Sequence, residues 1–341
     1  MWGNPSFFMA CKGRHTPLGF KIQKEEIQMR NLKRALSLAL AAIMLIGMMV
    51  VSASAVSYND LTDKDQIVNK DAVSMLVSLG IIEGKPDGSY GPTENVDRAQ
   101  MAKMLSVIMN KGVDNSALYQ SVNSGLVDVN TNWAKGHINY CYTTGIIAGR
   151  GNGKFDPSAT VTALEAAKML LVAVGYDPAI EGFEGADWAI NVSVRADEQG
   201  IFEGFTKDLS APLNRDDAAL LIYNALDVEM IQSYTTNNYP IAYSDHRTIL
   251  ADKYGVIKVQ GVVVANEWAS LASDDGDAAL KEGKTTIYNG EGIFSTTGNT
   301  TVSKEDASLK TQTFNVSTPV DMLGKTVNLY IKKTTILADS T

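Results

Sequence analysis

The chain has 341 residues, 45% hydrophobic and 20% charged, an ordinary globular composition with room for two or three domains. A formal charge of −8 excludes any general attraction to nucleic acid or anionic membrane, so an acidic partner must be met by particular arginines or lysines. Two cysteines, Cys11 and Cys141, are too few for a disulfide scaffold.

The first element is a targeting signal. From Met29 the sequence reads MRNLKR, ALSLALAAIMLIGMMVV and SASA: a basic start, an apolar core and a small-residue cleavage site. This predicts a secretory signal peptide over 29–55, cut after Ala55. Ala35 to Val51 is short for a bilayer span and no basic stop-transfer cluster follows, so no membrane association is expected after cleavage. Residues 1–28 stand ahead of a complete signal and read as a mis-assigned upstream leader, with Met29 as the true start. Residues 1–55 hold 7 of the 30 basic and 2 of the 38 acidic side chains, which leaves 23 against 36 and a net charge of −13. Cys141 alone remains, on an apolar helical face, and reads as a buried structural thiol.

Next come three related stretches, GIIEGKPDGSYGP (80–92), GIIAGRGNGKFDP (145–157) and GIFEGFTKDLSAP (200–212). Each has glycine four residues after its Gly-Ile pair (Gly84, Gly149, Gly204) and proline twelve after it (Pro92, Pro157, Pro212). The glycine spacing of the second invites a phosphate-loop reading. The first copy has Pro86 where the second has Gly151, and proline offers no N–H, so that reading fails. What recurs is turn chemistry: a left-handed glycine cap, an isoleucine opening a short strand, and a tight turn.

A helical stretch precedes each turn. Val68, Trp133 and Trp188 stand twelve residues before the three Gly-Ile pairs, which suggests a shared packing position; the tryptophans also have flat faces suited to a sugar ring. A second helix follows each turn, starting at Asp97, Thr162 or Asn214, with the capping box complete in the second copy and looser in the others. Positions +4, +7, +8 and +11 from these caps are apolar in every copy. Each unit is too small to bury its stripe alone, so the three stripes are expected to share one pseudo-threefold core.

These residues resemble the S-layer homology (SLH) domain. The resemblance rests on YND (58–60) and LVDV (126–129), the Trp-Ala pairs at 133 and 188, the turns PDGSYGP and GNGKFDP, and the helix starts DRAQ, TALE and NRDD. It implies an α+β chain: a mainly α, three-repeat bundle with short strands and loops, the repeats spanning 58–112, 126–176 and 184–230. It also implies grooves that bind anionic, often pyruvylated, secondary cell-wall polysaccharide and hold an exported protein on a bacterial wall. The resemblance carries over Arg98 and Arg215, at the first helical position, as glycan-binding; the residues themselves add Lys85 and Arg150 with the fourth-position glycines Gly84 and Gly149 that precede them, and Trp133 and Trp188, as candidate glycan contacts. The alternative for each cation is ordinary surface charge or an ion pair. The second copy has Ala163 in place of the arginine, and the third lacks the Asp-Gly-x-Phe turn and has Phe205 where Lys85 and Arg150 stand. Asp60, Asp87 and Asp128 are expected to close turns rather than touch sugar.

Residues 231–250 read as a linker. From 251 to 341, Val/Thr/Ile-rich alternating runs predict a small antiparallel β domain that breaks off after a strand, as in a truncated chain. Within it VDMLGKTVNLYIKK resembles a strand pair of large clostridial-type surface proteins. SDDGDAALKEG places Gly276 and Glu282 at positions six and twelve of an EF-hand loop, but Leu271 then occupies the first ligand position, so a solvated acidic turn is preferred and no metal is expected. His137 and His246 lack any Ser-His, His-Glu or Cys-His context, and no cofactor motif or active site emerges. The expected function is non-catalytic wall anchoring; the alternatives are a self-associating S-layer subunit, or the anchor of a surface enzyme whose catalytic part lies outside this chain.

Overall fold

The computed structural model describes residues 57–271, 279–289, 296–297, 300–301 and 310–332, all within a compact unit spanning Val51–Thr341. The leader, the signal peptide and most of the SDDGD stretch lie outside the described residues. Among the described residues six α-helices precede a β-hairpin, and a seventh leads into a four-stranded antiparallel sheet, an α+β arrangement. The helices are α1 (Lys70–Ser78), α2 (Arg98–Met109), α3 (Lys135–Thr143), α4 (Ala163–Val174), α5 (Trp188–Glu198), α6 (Arg215–Ala225) and α7 (Ile249–Tyr254).

Helices α1, α3 and α5 end alike. Gly80, Gly145 and Gly200 adopt φ of 70°, 78° and 70°, the left-handed region that costs glycine nothing. The next residue then folds back: Ile81, Ile146 and Ile201 donate their N–H groups to the carbonyls of Leu76, Cys141 and Ala196, each at 2.9 Å. This six-to-one closure replaces the expected short strand. All three isoleucines are buried, so the cap also anchors the turn in the core.

Helices α2, α4 and α6 begin alike. Asp97, Thr162 and Asn214 accept hydrogen bonds from the N–H groups of Gln100, Glu165 and Asp217. The reciprocal bond is present in the first as well as the second, because the Gln100 amide reaches back to the Asp97 N–H at 3.1 Å. Of the twelve stripe positions only Met104 is not buried. Between turn and helix, Val96, Val161 and Leu213 close a ring. Val96 N–H donates to Leu213 O (2.8 Å), Leu213 N–H to Val161 O (2.8 Å) and Val161 N–H to Val96 O (2.9 Å). Their side chains are buried, so the ring is shielded from water at the point where the helix starts meet.

Packing follows the same circle: α3 lies on α2, α5 on α4, and α1 on α6. The last contact is secured by Asp216, whose carboxylate accepts from the Val68 and Asn69 N–H groups at 3.2–3.3 Å and so caps α1 from α6. Residues 231–250, expected to be a linker, instead form a hairpin of β1 (Ile231–Tyr234) and β2 (Pro240–Ala242) and lead into α7. The hairpin is tied down: Tyr234 Oη donates to Glu181 Oε1 (3.0 Å) and accepts from the Asp177 N–H (2.9 Å).

The β region contains β3 (Val256–Asn266), β4 (Thr285–Tyr288), β5 (Thr296–Thr297), β6 (Thr300–Thr301), β7 (Thr311–Phe314) and β8 (Thr326–Lys332). Four of these form one antiparallel sheet in the order β7-β4-β3-β8 around Val263, Ile287 and Phe314. The VDML stretch is a 3-10 turn that enters β8, whose strand partner is β3, so it holds one strand and not a pair. The sheet is fastened to the helical region by Lys258 Nζ on Asp227 Oδ2 (3.0 Å) and by a hydroxyl pair between Tyr223 and Tyr330, while α7 is tied to α2 by Tyr254 Oη donating to Ile108 O (3.4 Å).

Candidate functional site

Arg98 is the first residue of α2, yet its guanidinium leaves its own segment and enters the second turn. Nε donates to Phe155 O and an Nη to Ala148 O, both at 2.8 Å, and the guanidinium carbon stands 4.3 Å from the centroid of the Phe155 ring. The residue is only 5% exposed. It is neither the solvated ion-pair partner nor the open ligand arm expected from sequence; it is a clamp between a helix start and the second turn. Burial first, and the nearby Arg150 second, pull its pKa down to about 10, which leaves it charged near neutral pH.

Arg215, first residue of α6, repeats this on the first turn. Its Nε donates to Tyr90 O (2.8 Å), its guanidinium lies 4.8 Å from the Tyr90 ring centroid, and Tyr90 Oη donates back to Arg215 O (2.6 Å). Arginine and turn come from different segments in both cases. Asp128 supports the second turn by accepting from the Phe155 and Asp156 N–H groups (2.9 and 2.8 Å). In the first turn this is done by Asp63, which accepts from Tyr90 and Gly91 (2.7 and 2.8 Å), and not by Asp60, which closes its own turn at Ser57 (3.0 Å). Asp87 accepts from the Ser89 N–H at 2.9 Å.

Around each clamp lies a second, more open cation. Arg150 pairs with Glu165 Oε1 at 2.8 Å, and Lys85 pairs with Glu94. Both follow the same tight turn, in which Arg150 N–H donates to Lys154 O (2.8 Å) and Lys85 N–H to Ser89 O (2.7 Å). Gly149 is required there: a Cβ would sit 2.9 Å from Lys154 O. Gly84 precedes the matching turn. Each site thus contains a clamped arginine, a partly exposed cation and an acid that holds that cation in place.

The tryptophans do not fill a shared core position. Trp133 is 58% exposed and Val68 81% exposed, while Trp188 is half-buried beneath the Lys168 ammonium, 5.8 Å from its ring. The reason is local: Trp133 and Val68 precede their helices, so helical periodicity does not govern them, and Trp188 is the first residue of α5. Cys141, by contrast, is fully buried and gives its thiol to Ala102 O at 3.4 Å; burial pushes its pKa up, so it is held as an inert thiol.

One grouping was not visible in sequence. Ser106 Oγ lies 2.6 Å from His137 Nδ1, and Asp114 Oδ2 lies 3.6 Å from Nε2. Ser106 Oγ also lies 3.0 Å from Lys103 O, which can take its hydroxyl proton and leave Oγ free to accept from Nδ1 in that tautomer. Both side chains are buried within α2 and α3. Burial lowers the His137 pKa, with Asp114 opposing and Lys103 assisting. The unfolded chain therefore takes the proton first, and stability complete above about pH 6.5 falls as pH drops from there towards the lower folded pKa. Urea midpoints at pH about 7.5 and about 5.5 should differ less in His137→Gln than in the parent chain; an equal difference would reject this assignment.

Residues 57–102 and 127–167 match the S-layer homology domain model. A cell surface protein of Thermoanaerobacter kivui is 27% identical over 270 residues, covering 79% of this chain and 32% of its own length. An S-layer protein of Bacillus licheniformis is 33% identical over 113 residues (33% of this chain, 12% of the relative), and the exoglucanase XynX of Acetivibrio thermocellus 29% over 192 residues (52% and 17%). The chain spans about a third or less of these relatives' lengths. It contains S-layer homology sequence over the two matched stretches.

Proposed function

We propose that this chain is a non-catalytic, exported bacterial cell-surface protein whose helical region anchors it to the wall by binding an anionic secondary cell-wall polysaccharide. We take residues 58–112, 126–176 and 184–230 as three repeats around one pseudo-threefold axis. The observation that carries the reading is the pair of matching cationic sites, Arg98 with Arg150 and Arg215 with Lys85, each built across a helix start and a turn from another segment. An acidic protein needs such built sites to hold an acidic glycan. Gly84 and Gly149 shape the turns, and exposed Trp133 and half-buried Trp188 are available as faces for sugar rings. The S-layer relative favours a second reading, in which the β region self-associates into a surface lattice.

The test is pull-down of the chain with purified cell walls before and after chemical removal of the polysaccharide. Binding should require the polysaccharide and should weaken at least tenfold in Arg150→Ala/Lys85→Ala, about 1.4 kcal/mol or more. Undiminished binding to stripped peptidoglycan rejects the glycan mechanism, and binding to neither wall rejects anchoring. Lattice formation would appear as sheets under electron microscopy.

A further inference from the structure

Two departures that look unrelated along the sequence face each other in space. The third turn carries Ser210 where the first two carry Tyr90 and Phe155, and α4 begins with Ala163 where α2 and α6 begin with arginine. The interface between α4 and the third turn is formed, since Leu164 N–H donates to Leu209 O (3.1 Å) and Thr162 bridges to Pro212. So the arginine and the aromatic ring it would cover are missing from one and the same interface, while both are present at the other two. Phe205 takes the place of Lys85 and Arg150 and packs on Phe202, ring centroids 6.2 Å apart, so the cation of this turn is displaced to Lys207, which pairs with Asp217 and has no clamped arginine behind it.

We infer that the chain is bivalent: anionic glycan is taken at the Arg98–Arg150 and Arg215–Lys85 interfaces, while the Ala163–Ser210 interface is a structural joint that takes no anion. This rests on the anchoring reading and assigns it a valency. Because each working interface joins two segments, neither repeat forms a site alone. Two sites on one rigid body make the second attachment intramolecular, so loss of one should cost wall retention far more than half, on the order of a hundredfold.

The test is native mass spectrometry of the full chain with single-repeat oligosaccharides released from the wall polysaccharide by hydrogen fluoride. Two bound fragments are expected for the parent chain, one for Arg150→Ala, one for Lys85→Ala and none for the pair, with circular dichroism unchanged. The exchange Ala163→Arg/Phe205→Lys/Ser210→Phe is expected to raise the count to three. Three fragments on the parent chain, or one, or two on either single variant, overturn the valency and leave anchoring intact. No fragment on the parent chain overturns anchoring and valency together.

Discussion

Replacing Arg98 with alanine should destabilise the protein by about 2 to 4 kcal/mol, a large effect for a residue that sequence alone reads as a ligand arm. The side chain is 5% exposed and satisfies two backbone carbonyls, Phe155 O and Ala148 O, that no other described side chain serves. Phe155 O left open in the core costs about 1 to 3 kcal/mol and the lost stacking on Phe155 adds about 1 more, whereas Ala148 is exposed and its carbonyl can turn to water. Arg98→Lys keeps the charge but not the fork, so it should recover less than half. Urea or guanidinium midpoints at constant m measure this directly; a loss below about 1 kcal/mol for the alanine variant would show that the clamp is not structural. It follows that weaker wall binding by Arg98→Ala cannot by itself identify a ligand contact. Arg150 and Lys85, which stand further out and hold no backbone together, are the informative positions.

The helices themselves were legible in the chain because their determinants are local. The caps at Asp97, Thr162 and Asn214, the left-handed glycines and the apolar stripes each depend on residues within a dozen positions, and each is found where the spacing predicts it. The arginine clamps were not legible, because Arg98 and Phe155 are 57 residues apart and Arg215 and Tyr90 are 125 apart. Reading each repeat by itself assigned the missing arginine at Ala163 to the second turn, where Arg98 in fact serves. A signal was available: the two turns with an aromatic residue before the final Asp-Pro or Gly-Pro are matched in number by the two helices with arginine. Asp60 carries the aromatic-x-Asp pattern, whereas the first turn is held by Asp63, the carboxylate that reaches two adjacent N–H groups. Trp133 was assigned to the core by extending helical periodicity past the start of α3.

Phe155→Ala should cost about 3 to 5 kcal/mol, the range for deleting a large buried aromatic side chain. Phe155 is 0% exposed, so the deletion leaves a cavity beneath a guanidinium. Cavity and cation are distinguishable. In a double-mutant cycle with Arg98→Ala the two losses should fall short of additivity by about 1 to 2 kcal/mol, because the stacking contact can be removed only once. A coupling near zero would mean that the ring fills space and does not hold the arginine. Tyr90→Ala also removes the hydrogen bond from its hydroxyl to Arg215 O at 2.6 Å, but that acceptor is backbone and survives in Arg215→Ala, so the bond adds to the single loss and not to the coupling. At the third interface neither member of the pair is present, so Ser210→Phe alone should gain nothing and Ala163→Arg alone should expose a cation without a ring to rest on. Only the two together can stabilise, and that dependence is what makes the pair, not the single residue, the unit that sets each interface.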